Sequence, residues 1–210
     1  VAMPSIPRYN VGIPTVSLRQ REMGSVRDAL DRPLVKTSVI LLTGAMAALL
    51  DTTMVSVALP QLATEFGTSP GELQLVSTAY LLAMAMVIPL MGWAVDRWGA
   101  KTTWMLSLGL FLSGSTLCSV AWSVPSLVAF RVLQGVGGGL ILPVMQAILA
   151  EVAGPRRFAR AMGLVAIPGQ LAPILGPMLG GAILTSYGWR WIFYINVGTP
   201  QFLPSQGESV

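Results

Sequence analysis

Four stretches of this chain run for more than 20 residues with at most one charged side chain. They are Thr37–Pro60, interrupted only by Asp51, then Leu73–Val95, Thr102–Phe130 and Ala161–Trp189. About 20 predominantly apolar residues, wound as a helix, cross the ~30 Å hydrocarbon layer of a bilayer. Within lipid the backbone N–H and C=O groups have no water to bond, so such stretches span as helices. Composition argues the same way. Only 10% of the 210 residues are charged and the mean hydropathy is +0.68, whereas an average soluble domain is roughly 25% charged.

The third stretch is too long for one span, and the turn signal Ser123-Val124-Pro125-Ser126 divides it. The sequence therefore predicts an all-α integral membrane bundle with helices at about 38–60, 73–95, 102–121, 126–150 and 161–187, and the start of a sixth at 191–197. Residues 1–37 form a separate basic tail, with Arg8, Arg19, Arg21, Arg27, Arg32 and Lys36 against Glu22, Asp28 and Asp31. Pro4, Pro7 and Pro14 break any helix there, and disorder is expected up to about Asp28. It does not read as a cleavable signal, because the apolar run that follows is too long. Residues 198–210 are polar, and the sixth helix is expected to stop before them.

Basic residues of short loops stay on the cytoplasmic side. With the N-terminus inside, the six basic residues of the tail, Arg97 and Lys101, and Arg156, Arg157 and Arg160 all face the cytoplasm. The opposite side then holds only Arg190, and Arg131 lies within the membrane. The external segment Gln61–Glu72 carries two glutamates and no basic residue. This asymmetry accounts for the pI of 9.7 without a nucleic-acid partner. The chain has no His and one Cys, Cys118. That excludes a His/Cys metal cluster, a His-based triad and an internal disulfide, and an enzyme is not expected.

Four segments carry the chemistry. The first, Leu50–Pro60, places Asp51 in mid-helix. A carboxylate at that depth either carries protons or is a structural acid bonded to a neighbouring helix. The second is Gly92-Trp93-Ala94-Val95-Asp96-Arg97-Trp98-Gly99-Ala100-Lys101, read as a loop in which glycines allow a tight turn and Asp96 and Arg97 pair or cap the helix ends. The third is Leu127 to Gly139, with Arg131, Gln134, Gly135 and the triplet Gly137-Gly138-Gly139. Arg131 either faces inward to an acid or snorkels to the outer interface, and Gly135 and Gly139 allow another helix to approach. The fourth is Pro168 to Gly181, where Pro173, Gly176, Pro177, Gly180 and Gly181 give a kinked helix with a flat face. That face serves either rocking against a partner or packing alone.

Depth links the first and third segments. Asp51 lies 14 residues past Thr37, ~21 Å along its helix, and Arg131 lies ~7–8 Å in from the other side. In a ~30 Å core the two levels nearly coincide, so a direct or water-mediated pair is expected.

Together the four segments resemble the motifs of the major facilitator superfamily, and in particular its drug:proton antiporters of the fourteen-helix type. Trp189-Arg190-Trp191-Ile192-Phe193-Tyr194-Ile195-Asn196-Val197 resembles that group's sixth-helix start, and the likeness covers roughly residues 38–197. It implies the N-terminal helical bundle of a secondary transporter in the bacterial cytoplasmic membrane, exporting drugs or other small lipophilic compounds. The proton gradient, with no cofactor or metal, would drive it. It implies that Asp51, Arg131 and Gln134 serve proton and substrate translocation. Gly92, Asp96, Arg97, Gly99 and Lys101 would form the conformational loop, and Pro173, Gly176, Pro177, Gly180 and Gly181 the antiporter helix. The partners implied are the bilayer and a small-molecule substrate, with no nucleic acid.

Ser56, Ala94, Ala100 and Ala172 depart mildly from the family pattern. The polar stretch from Gly198 departs more, because the family continues there with an apolar run. The expectation is a truncated half, inactive by itself. The alternative is a membrane interaction subunit or half-transporter that needs a second half or another copy.

Overall fold

A computed structural model describes residues 32–198, and every regular element among them is helical. The helices are α1 (Arg32–Phe66), α2 (Pro70–Val87), α3 (Met91–Trp98), α4 (Ala100–Ser119), α5 (Val124–Gly169), α6 (Ala172–Tyr187) and α7 (Arg190–Gly198). The basic tail and the polar C-terminal stretch lie outside the described residues, apart from their inner ends.

The helices outrun the apolar stretches that announce them. The segment Gln61–Glu72, read as an external loop, is helical through Phe66 and again from Pro70. Gln61, Leu62, Ala63 and Glu65 are good helix formers, and the helix stops only where Gly67 takes φ +60°. The Thr68 N–H then returns to the Ala63 carbonyl at 3.1 Å, satisfying an end-of-helix acceptor. Ser69 caps α2 by accepting from the Glu72 N–H at 3.3 Å.

The second span is not one uniform helix. Pro89 has no N–H to give, and Ile88–Leu90 form a 3₁₀ turn between α2 and α3. The loop expected at Asp96–Lys101 shrinks to one residue, Gly99, whose φ of +82° reverses the chain. Thr103 secures the turn, its hydroxyl donating to the Ala94 and Gly99 carbonyls at 3.1 and 2.8 Å. Ser123 and Ser126 form a reciprocal capping box at the start of α5. The cytoplasmic loop expected near 151–160 is also mostly helical. Gly154 alone leaves helical geometry (φ 66°, ψ 170°), so α5 is two helices meeting at Gly154-Pro155. The span expected at 161–187 is interrupted at Gln170–Leu171, between α5 and α6. Proline at 168 and 173 explains that break.

Helices α1, α2–α3, α4 and the two halves of α5, the second continued by α6, pass back and forth as five spans, and α7 begins a sixth. Three stretches, Leu34–Phe66, Gly71–Trp98 and Val124–Tyr187, are long and apolar enough to cross a membrane by themselves. Helix α4 has the length, at 20 residues, but is diluted by seven Ser and Thr.

The first half of α5 is the axis of the bundle, packed against α4, α2 and α1. Its glycines make this closeness feasible. A Cβ at Gly135 would meet the Tyr80 carbonyl at 2.6 Å, and one at Gly139 the Met84 carbonyl at 2.7 Å, both on α2. A Cβ at Gly137 would enter the backbone of Ser107 and Phe111 on α4. Backbones in such contact gain dispersion and weak Cα–H···O bonds, which drive association where lipid removes the hydrophobic incentive.

The core falls into two apolar clusters. One gathers Leu41, Ala48, Trp104, Phe111, Val144 and Leu149, the other Val55, Leu62, Val76, Leu127, Trp189 and Phe193. Along α1, α4 and α5, which contribute to both, a buried polar side chain marks the change: Asp51 on α1, Ser115 on α4, Arg131 and Gln134 on α5. Aromatic side chains gather toward the two ends of the bundle. Trp93 and Trp98 meet edge-on at 5.1 Å beside Arg97 and Lys101, and Tyr187, Trp191 and Tyr194 stack in sequence at the other end. This is the placement of interfacial aromatic belts.

Candidate functional site

The polar layer between the two clusters is a closed set of donors around one carboxylate. Asp51 is fully buried, and so, at 1% exposure, is Arg131. Arg131 Nη1 lies 2.5 Å from Asp51 Oδ2. The inward reading of Arg131 therefore holds, and it does not snorkel. Gln134, one turn further along α5, bridges the pair. Its Oε1 accepts from Arg131 at 2.9 Å and its Nε2 donates to Asp51 Oδ1 at 2.9 Å. No other amide orientation fits, because guanidinium only donates and a carboxylate only accepts. The Cys118 thiol donates to the same Gln134 oxygen at 3.7 Å.

A fourth helix closes the cage. Asn196 on α7 donates to Asp51 Oδ1 at 2.8 Å and to Ser115 Oγ at 3.1 Å, and Ser115 donates to the Phe193 carbonyl at 2.9 Å. Beneath the guanidinium, the Tyr80 ring stacks with its centroid 3.9 Å from Arg131 Cζ. Two atoms here are buried without a hydrogen bond of normal length and angle among the described residues, Arg131 Nε and Tyr80 Oη. Deleting one member of such a buried ion pair strands the other charge, at a cost of about 3–5 kcal/mol.

Asn196, Ser115 and Tyr80 were not identified from sequence as part of this site. Asn196 had a signal, an amide inside an apolar run, which is expensive in lipid unless its hydrogen bonds are used. Ser115 is one of several hydroxyls on α4, and only the fold selects it.

The other expected site residues lie apart from the cage. Asp96, Arg97 and Lys101 are exposed, and their side chains make no ion pair or hydrogen bond among the described residues, so of the two roles expected of Asp96 and Arg97, pairing or capping the helix ends, the pairing is not formed. Both belong to helix α3, where Arg97 sits favourably in the last turn. Gly92 lies within helix α3 and has no positive φ, so its role as a tight-turn residue is not realised; of the two glycines only Gly99 turns the chain. The α6 segment splits into two faces. Gly176 and Gly180 are buried against Thr53 and Met54 of α1, while Pro173 and Pro177 are exposed and Gly181 has open space beside it.

A cavity of about 390 Å³ opens between α1, the turn at Pro168–Leu171, α6 and α7. Leu42, Met46, Leu50, Met54, Leu179 and Ile195 make it apolar, with Thr43 and Asn196 as its polar contributors. Asn196 thus faces both the cavity and the carboxylate. Among the described residues no group of three or more His, Cys, Asp or Glu could hold a metal.

Residues 41–200 match the sequence profile of the Major Facilitator Superfamily. This chain belongs to that superfamily. It is a multi-pass membrane protein of a transporter family. The Multidrug resistance protein B homolog of Mycobacterium tuberculosis is 44% identical over 173 residues, covering 82% of this chain and 32% of that protein. The chain thus spans about a third of the length of the curated relatives it matches. Solved structures agree on the fold. An inward-facing bacterial homolog of the human lysosomal transporter Spinster superposes with a TM-score of 0.69 at 20% identity, covering 81% of this chain and 41% of that one. The inward-open xylose transporter XylE of E. coli gives 0.63 at 20% identity, covering 78% and 44%. The N-terminal half of a major facilitator fold is what these helices form.

Proposed function

We propose that this chain is the N-terminal bundle of a drug:proton antiporter of the fourteen-helix type. It would export small lipophilic compounds across the bacterial cytoplasmic membrane, with its N-terminus and the Arg97 and Arg157 ends in the cytoplasm. The observation that carries the reading is the Asp51–Arg131 pair, buried between two apolar clusters. A buried carboxylate that exchanges a proton changes its bond to the neighbouring cation, and so couples proton flow to helix movement. The apolar cavity beside Asn196 supports a lipophilic cargo, and the likeness to the mycobacterial Multidrug resistance protein B homolog supports drugs as the class. Arg131 and Gln134 hold the carboxylate in place. The exposed Asp96, Arg97 and Lys101 are available to latch a partner bundle, and the exposed prolines of α6 to rock against one.

Transporters of this architecture place substrate between two halves, and this chain spans about a third of its relatives. Alone, it is expected not to export. The test is a chimera in which residues 32–198 replace the matching segment of the mycobacterial relative. Energy-dependent dye export by the chimera, lost in Asp51→Asn with insertion intact, supports the reading. Undiminished proton-coupled export by Asp51→Asn reduces that acid to a structural role. Export by the 210-residue chain alone in vesicles overturns the need for a second half.

A further inference from the structure

Asp51 is held by donors from two different helices. Arg131 and Gln134 both ride on α5 and move together, whereas Asn196 comes from α7. Gln134 and Asn196 share Oδ1, and Arg131 occupies Oδ2. The direction of the Asn196 amide is set by Ser115. That hydroxyl spends its proton on the Phe193 carbonyl, which leaves its oxygen lone pairs to accept from Asn196 Nδ2. Helix α7 is anchored to α1 a second time, at the far end. There Glu65 accepts from the Trp189 indole at 2.6 Å and from Arg190 at 2.9 Å. Glu65 lies 14 residues beyond Asp51 on the same helix. The register of α7 against α1 is thus fixed at two levels, and Asn196 is the point where that register reaches the carboxylate.

We propose that Asn196, braced by Ser115, is a positioning residue for Asp51, holding Oδ1 of the carboxylate in its donor cage and in register with α7. The proposal rests on the reading of Asp51 as the proton carrier. The ionisable groups facing Asp51 are Arg131 of α5 and the Tyr80 phenol of α2, with the Cys118 thiol of α4 one bond further away. On α7 the ionisable side chains are Arg190, paired with Glu65, and the partly exposed Tyr194; on α6 there is Tyr187 alone, at the outer end. Asn196 is uncharged, and toward Asp51 it presents an amide N–H donor. Removing that donor leaves Gln134 as the bond to Oδ1.

The 210-residue chain in lipid nanodiscs, titrated by infrared difference spectroscopy, tests this through the carbonyl band of a protonated carboxyl group. The band absent from Asp51→Asn is assigned to Asp51. In Asn196→Ala the frequency of that band is expected to shift, because the carboxyl group loses the bond that Asn196 makes to Oδ1. Ser115→Ala, which leaves the amide in place but unbraced, is expected to shift it the same way by less. Loss of packing alone would lower thermal stability without moving the band. If Asn196→Ala does not fold, Ser115→Ala decides. An unmoved band in folded variants overturns the positioning role and leaves the proton-carrier reading intact. A spectrum in which no band depends on Asp51 at any pH takes down the proton-carrier reading and this inference with it.

Discussion

Trp189 donates its indole N–H to Glu65 at 2.6 Å across 124 positions of sequence, and so ties the start of α7 to the last turn of α1. The Arg190 guanidinium joins the same carboxylate and stacks 4.4 Å from the Trp189 ring. The contributions differ with burial. Trp189 is 1% exposed, while Arg190 and Glu65 are 47% and 41% exposed. Exposed ion pairs contribute about 0–1 kcal/mol, whereas a bond from a buried donor to a charged acceptor contributes about 1.5–3 kcal/mol. Glu65→Gln retains an acceptor for the indole and is expected to cost under about 1 kcal/mol. Glu65→Ala orphans the indole N–H and is expected to cost about 1–3 kcal/mol. Thermal unfolding in detergent compares the two. Equal losses would mean that the exposed pair, and not the indole bond, carries the contact.

Helix separation supplies a second prediction. Alanine at position 137 would drive its methyl into the backbone of Ser107 and Phe111, which has no rotamer to escape by. Gly137→Ala is expected to destabilise the bundle by about 1–3 kcal/mol. At Gly92 and Gly181 an added methyl meets open space. Alanine there is expected to be neutral or to stabilise by up to about 1 kcal/mol, through helix propensity. A Gly137→Ala variant as stable as Gly92→Ala would show that α4 and α5 do not depend on that close approach.

The sequence made the spans and the level of the charged pair legible, because both follow from counting. Lipid thickness fixes how many apolar residues a helix needs. The rise per residue then puts Asp51 and Arg131 at one depth. Helix ends were less legible. Hydropathy reports where lipid stops, whereas the helix stops where a glycine or proline stops it. Hence Gln61–Phe66 and the charged residues of α3 are helical outside the apolar stretches. The snorkelling alternative for Arg131 could not be decided from its own segment, since the outcome depends on which way α5 is rotated. Asn196 was hidden for the same reason. Its position along α7 was plain, but its meeting with Asp51 depends on the register of α7 against α1, which Glu65 and Trp189 set.

Labelling tests the orientation proposed from the basic residues. Gln61 is exposed near the Glu65 end, and Arg157 lies near the opposite end of the bundle, just past Gly154. Cys118 is fully buried and is expected not to react. Single cysteines at Gln61 and Arg157, in a Cys118→Ser background, are to be treated with an impermeant thiol reagent in intact cells. Only Gln61→Cys is expected to label. Labelling of Arg157→Cys alone would invert the topology.

Tyr80 separates the contribution of a ring from that of a hydroxyl. Its face lies 3.9 Å from the Arg131 guanidinium carbon, in a site closed to water. A cation over an aromatic face in such a desolvated site gains about 2 kcal/mol. The hydroxyl is buried near Thr52 and makes no hydrogen bond of normal length and angle among the described residues, which costs about 1–3 kcal/mol relative to a satisfied group. The two effects oppose, and substitution divides them. Tyr80→Phe keeps the ring and removes the orphaned polar atom, so stability is expected to be unchanged or to rise by about 1 kcal/mol. Tyr80→Leu removes the ring, and the guanidinium loses its platform together with packed volume, at an expected cost of about 2–4 kcal/mol. In the chimeric transporter, Tyr80→Phe is expected to keep coupled export and Tyr80→Leu to lose it, because Arg131 then no longer points at Asp51. Unfolding curves and dye export on the same pair of variants check both halves. A Tyr80→Phe variant that is markedly destabilised would mean that the hydroxyl is bonded after all, and that the guanidinium is held by a hydrogen-bonded side chain rather than by a ring.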